Sequence, residues 1–266
     1  MTERRATSVD YRRMHHDELD LPEWDRPRRD GPPSRRLVIC STPRSGSYLL
    51  CRQMINAGLG LPTEYFRERT IARLSGRWGV NAGDDDGYVR ELEARRTTEN
   101  GVFAAKLQWQ QLAAHPRLRE RLLAPADLLV FLYRRDVAAQ AVSWQVSLAT
   151  GLWSFDATVG PRAPDVTLED AGQAIRLANE LVRQNRAWEH LVSELGRSAL
   201  SVPYEEFVRD QGGLLRRLAS GMGVPPGSWT PPPAEGRDNR LPAAVEEARG
   251  RLLARVREAV ASSTRA

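Results

Sequence analysis

Short apolar runs alternate along the chain with stripes of apolar residues at helical spacing. Residues 37–40, Leu37-Val38-Ile39-Cys40, form a β-rich run, and Leu49, Leu50, Met54 and Ile55 after it recur as on a helix. A turn at 59–66 leads into a short amphipathic segment through Leu74, and a glycine- and aspartate-rich break at 83–87 precedes a charged helix ending near Asn100-Gly101. Residues 102–107 read as a second strand, 112–123 as a helix and 127–133 as the third and most apolar strand. A helix with Val137, Ala141, Val142 and Trp144 follows, then an irregular stretch at 152–164 long enough for a substrate lid. The clearest helix is capped by Thr167 and closed by Gly196. Its stripe of Leu168, Ala171, Ile175, Ala178, Leu181, Trp188, Leu191 and Leu195 reads as core. Residues 199–202 form a fourth strand with a helix after it, 225–233 a proline-rich connector, and 242–259 a final helix. Strands alternating with helices give an α/β fold, a three-layer sandwich whose central, mainly parallel sheet is flanked by helices. Residues 1–35 lack such periodicity and read as a polar N-terminal extension, leaving 36–266 as a single domain.

Composition narrows the class. The chain has 266 residues, 41% of them hydrophobic, and no apolar run approaching membrane-spanning length. Residues 1–36 hold no apolar signal segment, so a soluble, cytoplasmic protein is expected. Cys40 and Cys51 lack metal-ligand spacing and read as core packing, and His15-His16 as two exposed histidines. The net charge of +5 rests on 39 basic residues, all arginine but Lys106, which brings nucleic acid into view. These arginines are scattered, however, as on the final helix with Arg249, Arg251, Arg255 and Arg257 among glutamates. A small polyanion needing only a local patch suits the balance better.

The candidate patch lies between the first strand and its helix, at Thr42-Pro43-Arg44-Ser45-Gly46-Ser47-Tyr48. A loop entering a helix this way converges backbone N–H groups on one point, with the positive end of the helix dipole behind them. It is either a plain turn with a capping serine or a phosphate cradle, and the preceding Thr-Pro-Arg favours the cradle. The lysine of an ordinary P-loop is replaced by Arg44, whose planar fork suits a phosphate. The third strand repeats the layout, ending in Arg134-Arg135-Asp136 with Ser143 on the next helix. That pair is either an ordinary Arg–Asp loop with a helix serine or a second anion site. Two basic strand tips fit a ligand with two separated phosphates, and no Mg²⁺ carboxylate follows the third strand as a kinase would need.

In this order and spacing the motifs resemble those of the PAPS-dependent sulfotransferases, in particular the bacterial trehalose sulfotransferase type, over most of residues 37–220. Residues 41–50 are similar to that family's 5′-phosphosulfate loop, and Arg134-x-Asp136 with Ser143 to its 3′-phosphate motif. Asn100-Gly101-Val102, Lys106-Leu107-x-Trp109 and Gln140-Ala141-Val142-Ser143 are similar to stretches of the trehalose type. Tyr204-Glu205-Glu206 resembles a tyrosine-acidic pair that approaches the adenine. The resemblance implies metal-free sulfuryl transfer from 3′-phosphoadenosine 5′-phosphosulfate (PAPS) to a hydroxyl of a small molecule, leaving adenosine 3′,5′-bisphosphate (PAP). It implies Arg44 and Lys106 at the transferring group and Glu64 as the base. From the residues alone, Lys106 reads equally as a lysine snorkelling from a strand end, and Glu64 as an exposed glutamate at a helix start. Trp109, Trp144, Trp153 and Phe155 are candidate walls for the acceptor. Arg237 and Arg240 either close on the 3′-phosphate or form a solvated loop. A homodimer is compatible with this reading. The competing functions are a P-loop small-molecule kinase and a non-catalytic nucleic-acid or polyanion module.

Overall fold

The computed structural model describes residues 19–151, 153, 170–224 and 243–263. Its centre is a sheet of four parallel strands, β1 (Arg35–Ser41), β2 (Val102–Gln108), β3 (Leu128–Tyr133) and β4 (Ala199–Pro203), in the order β2-β1-β3-β4. Such a sheet must be covered on both faces, which is why Leu37, Val38, Ile39 and Cys40 are all apolar and fully buried. The strand alternation sends Val38, Cys40, Phe103, Ala105, Leu129 and Phe131 to one face. There they meet α2 (Glu68–Trp78), α3 (Asp85–Arg96) and the second half of α6 (Ala171–Leu195) through Leu74, Leu92 and Trp188. Leu37, Ile39, Ala104, Val130 and Val202 face the other way, onto α1 (Ser47–Asn56) and α8 (Gln211–Gly221). The three-layer α/β sandwich expected from the alternation is the one observed.

The remaining helices are α4 (Trp109–Ala114), α5 (Val137–Thr150), α7 (Tyr204–Arg209) and α9 (Ala243–Ser263). The helix α9 packs Val245, Leu252 and Val256 against Ala138, Val142 and Val146 of α5 and Ala174 of α6. Both cysteines are core residues, and burial pushes their thiols up. Among the described residues no helix is long and apolar enough to cross a membrane.

Four expectations are revised. The helix expected over 112–123 is broken: α4 ends before His115-Pro116, and a single π-helical turn, Arg119–Leu123, follows. Proline cannot donate to the helical ladder and clashes with the preceding turn. The helix expected to run towards Asn100 stops at Arg96, where Thr97 is extended and its hydroxyl donates to the Glu93 carbonyl at 2.6 Å. The cap of α6 is Asp170, whose carboxylate accepts from the Gln173 N–H at 2.9 Å; Thr167 and Leu168 lie outside the described residues. Of the polar extension, residues 19–34 are laid onto the domain, with a 3₁₀ turn at Pro22–Trp24 and with Leu19 and Trp24 buried against Ile55 and Leu61. Two isolated apolar residues carry no period, so nothing in the pattern signalled this packing. His15, His16, the 225–233 connector and the lid stretch except Trp153 lie outside the described residues.

Candidate functional site

All four strands point their carboxyl ends at one edge, where Ser41 is level with Gln108 and Leu132, and Tyr133 with Pro203. The chain leaves β1 towards β2 and later returns to place β3 on the opposite side of β1. The crevice between the ends of β1 and β3 is therefore a switch point, where open α/β sheets take ligands. The Arg44 loop and Arg134 flank it.

Within the loop, Arg44 and Gly46 both adopt positive φ, 62° and 88°. Among the described residues Arg44 is the single non-glycine to do so, a conformation costing roughly 1–2 kcal/mol. Gly46 is required by its surroundings: a Cβ there would lie 2.3 Å from Cδ2 of Tyr204. No side chain caps α1 at Gly46, and the Ser45 hydroxyl is fully buried with no hydrogen-bond partner among the described residues. An uncapped helix start beside an orphaned buried hydroxyl suits an anion with several oxygens.

The loop is braced from beneath by side chains whose role the sequence pattern did not reveal. Gln140 on α5 donates to Thr42 Oγ1 at 3.0 Å and to the Pro43 carbonyl at 2.6 Å. Thr42 donates to Asn185 Oδ1 at 3.2 Å, and the indole N–H of Trp188 donates to the Ser41 carbonyl at 2.9 Å, both from α6. Trp188 is core, as expected, and it is also a strut of the loop. The available signal was polar: Gln184 and Asn185 sit among the buried positions of an otherwise apolar stripe.

Arg44 Nε donates to Ser143 Oγ at 3.1 Å, and Arg44 Nη1 donates to the Trp153 carbonyl. Ser143, expected opposite Arg134, thus contacts the first basic tip. Burial first, and then the nearby Arg134 guanidinium, bring the Arg44 pKa down from its ordinary range to about 10, with Arg249 acting in the same direction. Arg249 lies on α9, one turn beyond buried Val245, and also pairs with Glu246 at 3.0 Å. Unlike the solvated arginines of the final helix, it borders the stripe Val245-Ala248-Leu252. Arg237 and Arg240 lie outside the described residues.

Tyr204 joins the two tips. Its ring covers Gly46, and the Arg134 guanidinium carbon sits 4.7 Å from its centroid. Glu205 accepts from the Arg135 N–H at 3.2 Å, and Glu206 pairs with Arg135. Asp136 caps α5 through the Ala139 N–H at 2.9 Å and pairs with Arg257, so its role is structural.

Glu64 and Lys106 meet at the end of β2. The Thr63 carbonyl accepts from the Lys106 N–H at 3.0 Å, which lays the Glu64 loop along the edge of the sheet. Glu64 Oε1 is 2.6 Å from Lys106 Nζ and accepts from Gln108 Nε2 at 3.2 Å. Oε2 accepts from Gln111 Nε2 at 3.5 Å and lies 3.6 Å from Arg67 Nε. Neither the exposed glutamate nor the snorkelling lysine describes this pair: Lys106 is 2% and Glu64 18% exposed at the side chain. The carboxylate is surrounded by cations and amides. Gln108 and Gln111 also form the capping box of α4, a Gln-x-x-Gln signal that was legible at the strand end.

The aromatic candidates divide. Trp109 packs edge-on against Trp188 with centroids 5.2 Å apart. Trp144 packs beside Ala178 and Leu181 of α6. Trp153 is 49% exposed, and Phe155 lies outside the described residues. Among the described residues no group of three or more His, Cys, Asp or Glu could hold a metal ion.

The Stf0 sulphotransferase family profile matches residues 36–231. Trehalose 2-sulfotransferase of Mycobacterium tuberculosis is 24% identical over 232 residues, covering 72% of this chain and 85% of that protein. Among solved structures, a sulfotransferase from Alicyclobacillus acidocaldarius is 14% identical with a TM-score of 0.44, covering 85% of this chain and 95% of its own. The sulfotransferase domain of the Synechococcus PCC 7002 olefin synthase is 18% identical with a TM-score of 0.42, covering 85% and 96%.

Proposed function

Because the chain belongs to the Stf0 sulphotransferase family, we propose that it moves a sulfuryl group from PAPS to a hydroxyl of a small acceptor, carbohydrate or other hydroxylated metabolite. The observation that carries this reading is the Glu64–Lys106 pair, 2.6 Å apart at the same sheet edge as the Arg44 loop. When bound, PAPS supplies an activated sulfuryl group on a 5′-phosphate leaving group. The orphaned Ser45 hydroxyl, the uncapped start of α1 and the adjoining guanidinium groups fit such a phosphate.

In this reading Glu64 accepts the acceptor's hydroxyl proton while the acceptor oxygen bonds to sulfur. The bond from sulfur to the phosphate oxygen breaks, and its electron pair leaves on the 5′-phosphate. Arg44 and the N–H groups of the loop stabilise that charge. Lys106, released from Glu64 as the carboxylate is protonated, turns its charge to the transferring group. Arg134 and Ser143, with Arg249 nearby, hold the 3′-phosphate; Arg237 and Arg240 are assigned to the same end. Tyr204 adjoins the adenine.

The test is a thermal-shift and transfer experiment. PAP without metal is expected to raise the melting temperature, whereas ATP with Mg²⁺ is not; the reverse result would identify a kinase. A panel of hydroxylated acceptors with labelled PAPS is expected to yield a sulfated product, and Glu64→Gln to lower kcat by about 10²–10⁴-fold. Full activity in that variant would remove Glu64 as the base.

A further inference from the structure

We propose that residues 19–30, which precede the sheet, form a strap that positions Glu64, anchored by the ion pair between Asp25 and Arg96; this rests on Glu64 being the base. Arg96, at the end of α3, is fully buried. It donates to Asp25 Oδ1 at 2.7 Å and to the Leu19 carbonyl at 2.6 Å, and so grips the strap at both ends of its 3₁₀ turn. Asp25 also accepts from the indole N–H of Trp78 at 2.8 Å and lies 3.4 Å from Arg77 Nη1. Asp20, 2% exposed, accepts from Thr70 Oγ1 at 3.1 Å and pairs with Arg73 at 3.5 Å. The strap's own N–H groups finish α3: Arg26 donates to the Arg95 carbonyl at 2.9 Å and Arg29 to the Ala94 carbonyl at 3.1 Å. Helix ends need such partners, which is why α3 stops where the strap begins to cover it.

The same anchor reaches the Glu64 loop by two routes. The Arg96 guanidinium carbon sits 5.9 Å from the ring centroid of Tyr65, the residue after Glu64. Tyr65 is fully buried, donates to the Leu61 carbonyl at 2.6 Å, and accepts at its own carbonyl from Tyr88 Oη at 2.8 Å. Leu61 packs with Leu19 and Trp24 of the strap. The loop from 61 to 65 is therefore held on one side by β2, through Thr63 and Lys106, and on the other by the strap. Without the strap, Glu64 keeps its partners on β2 and α4 but loses the wall that fixes the loop's approach. A carboxylate base displaced by even about 1 Å is expected to lose up to about a hundredfold in rate.

Removing one member of a buried ion pair can unfold a protein, whereas replacing both with apolar groups is tolerated. The decisive variants are therefore Asp25→Leu/Arg96→Met together and, independently, Trp24→Leu. Each is compared in the wild-type and Glu64→Gln backgrounds by kcat, donor KM and PAP affinity. The expected result is a kcat lowered by about 10- to 100-fold with Glu64 present. PAP affinity should stay within about twofold, and no further loss should appear in the Glu64→Gln background. Equal proportional losses in both backgrounds, or a parallel fall in PAP affinity, would overturn the strap alone. Full activity of Glu64→Gln by itself would overturn the base assignment, and the strap's catalytic purpose with it.

Discussion

Arg44 is a half-buried cation that faces Arg134 and holds a left-handed backbone, three costs concentrated on one residue. Below about pH 10 its guanidinium is protonated in the folded and unfolded chains alike, and the folded state carries the whole cost of the desolvated charge. Above about pH 10 the folded protein releases a proton that the unfolded chain still keeps, and the cost fades with rising pH. At neutral pH the cost is thus fully present, and an anion beside the group offsets it. Arg44→Gly removes both the cation and the strained φ. In urea unfolding, the ligand-free variant is expected to be more stable by about 1 kcal/mol. PAP affinity by calorimetry is expected to fall roughly 10- to 100-fold, the loss of a charge-assisted pair of bonds. Lower stability with intact PAP affinity would exclude Arg44 from the donor site. The residue itself was legible, because arginine in place of a P-loop lysine is a chemical departure visible in the chain. Its contact with Ser143 was not, since 99 positions separate the two and only the sheet order brings them together.

The helices serve the loop as much as they cover the sheet. Gln140 and Asn185 sit on two neighbouring helices, α5 and α6, and share Thr42 Oγ1. A helix that lost its strut would still pack, but the loop would lose its fixed height above the sheet. Gln140→Leu leaves the Pro43 carbonyl and Thr42 without their buried donor, which should cost about 1–3 kcal/mol of stability by urea unfolding. PAP binding should weaken as well, although Gln140 is assigned no contact with the donor. Unchanged PAP affinity in a destabilised protein would make Gln140 a core residue only. Element by element, the pattern of apolar residues located the four strands and the long helices, because burial on both sheet faces and helical stripes leave strong periods. It failed where one local feature outweighed the period. Pro116 broke a stripe that otherwise continued, Asp170 capped a helix begun three residues too early, and the 19–30 strap packs through ions and two isolated apolar side chains.

At the scale of the whole molecule, the charge that could draw nucleic acid is distributed differently from the charge at the site. Exposed arginines pair along their own helices, as Arg251 does with Glu247 and Arg183 with Glu180. Arg44 is half-buried and Arg134 lies against Tyr204, so both are screened by salt less than fully exposed charges are. A surface that neutralises 6–10 phosphates loses about 10³–10⁵ in affinity between 50 and 200 mM salt. A partly buried site for one small polyanion should lose far less, and PAP affinity is expected to fall by less than about tenfold over that range. Binding should also be linked to folding, because the cradle exists only when β1, β3 and β4 align their ends. At 100 times its Kd, PAP should therefore add about 2.7 kcal/mol to unfolding stability, provided it has no affinity for the unfolded chain. Both numbers come from one protein sample in a salt series, with calorimetry for affinity and urea unfolding for stability. A salt dependence of the first kind, with DNA or heparin bound as tightly as PAP, would mark a polyanion-binding surface. A shallow dependence together with the full stabilisation places the anion in the crevice between β1 and β3, where burial rather than net charge sets the affinity.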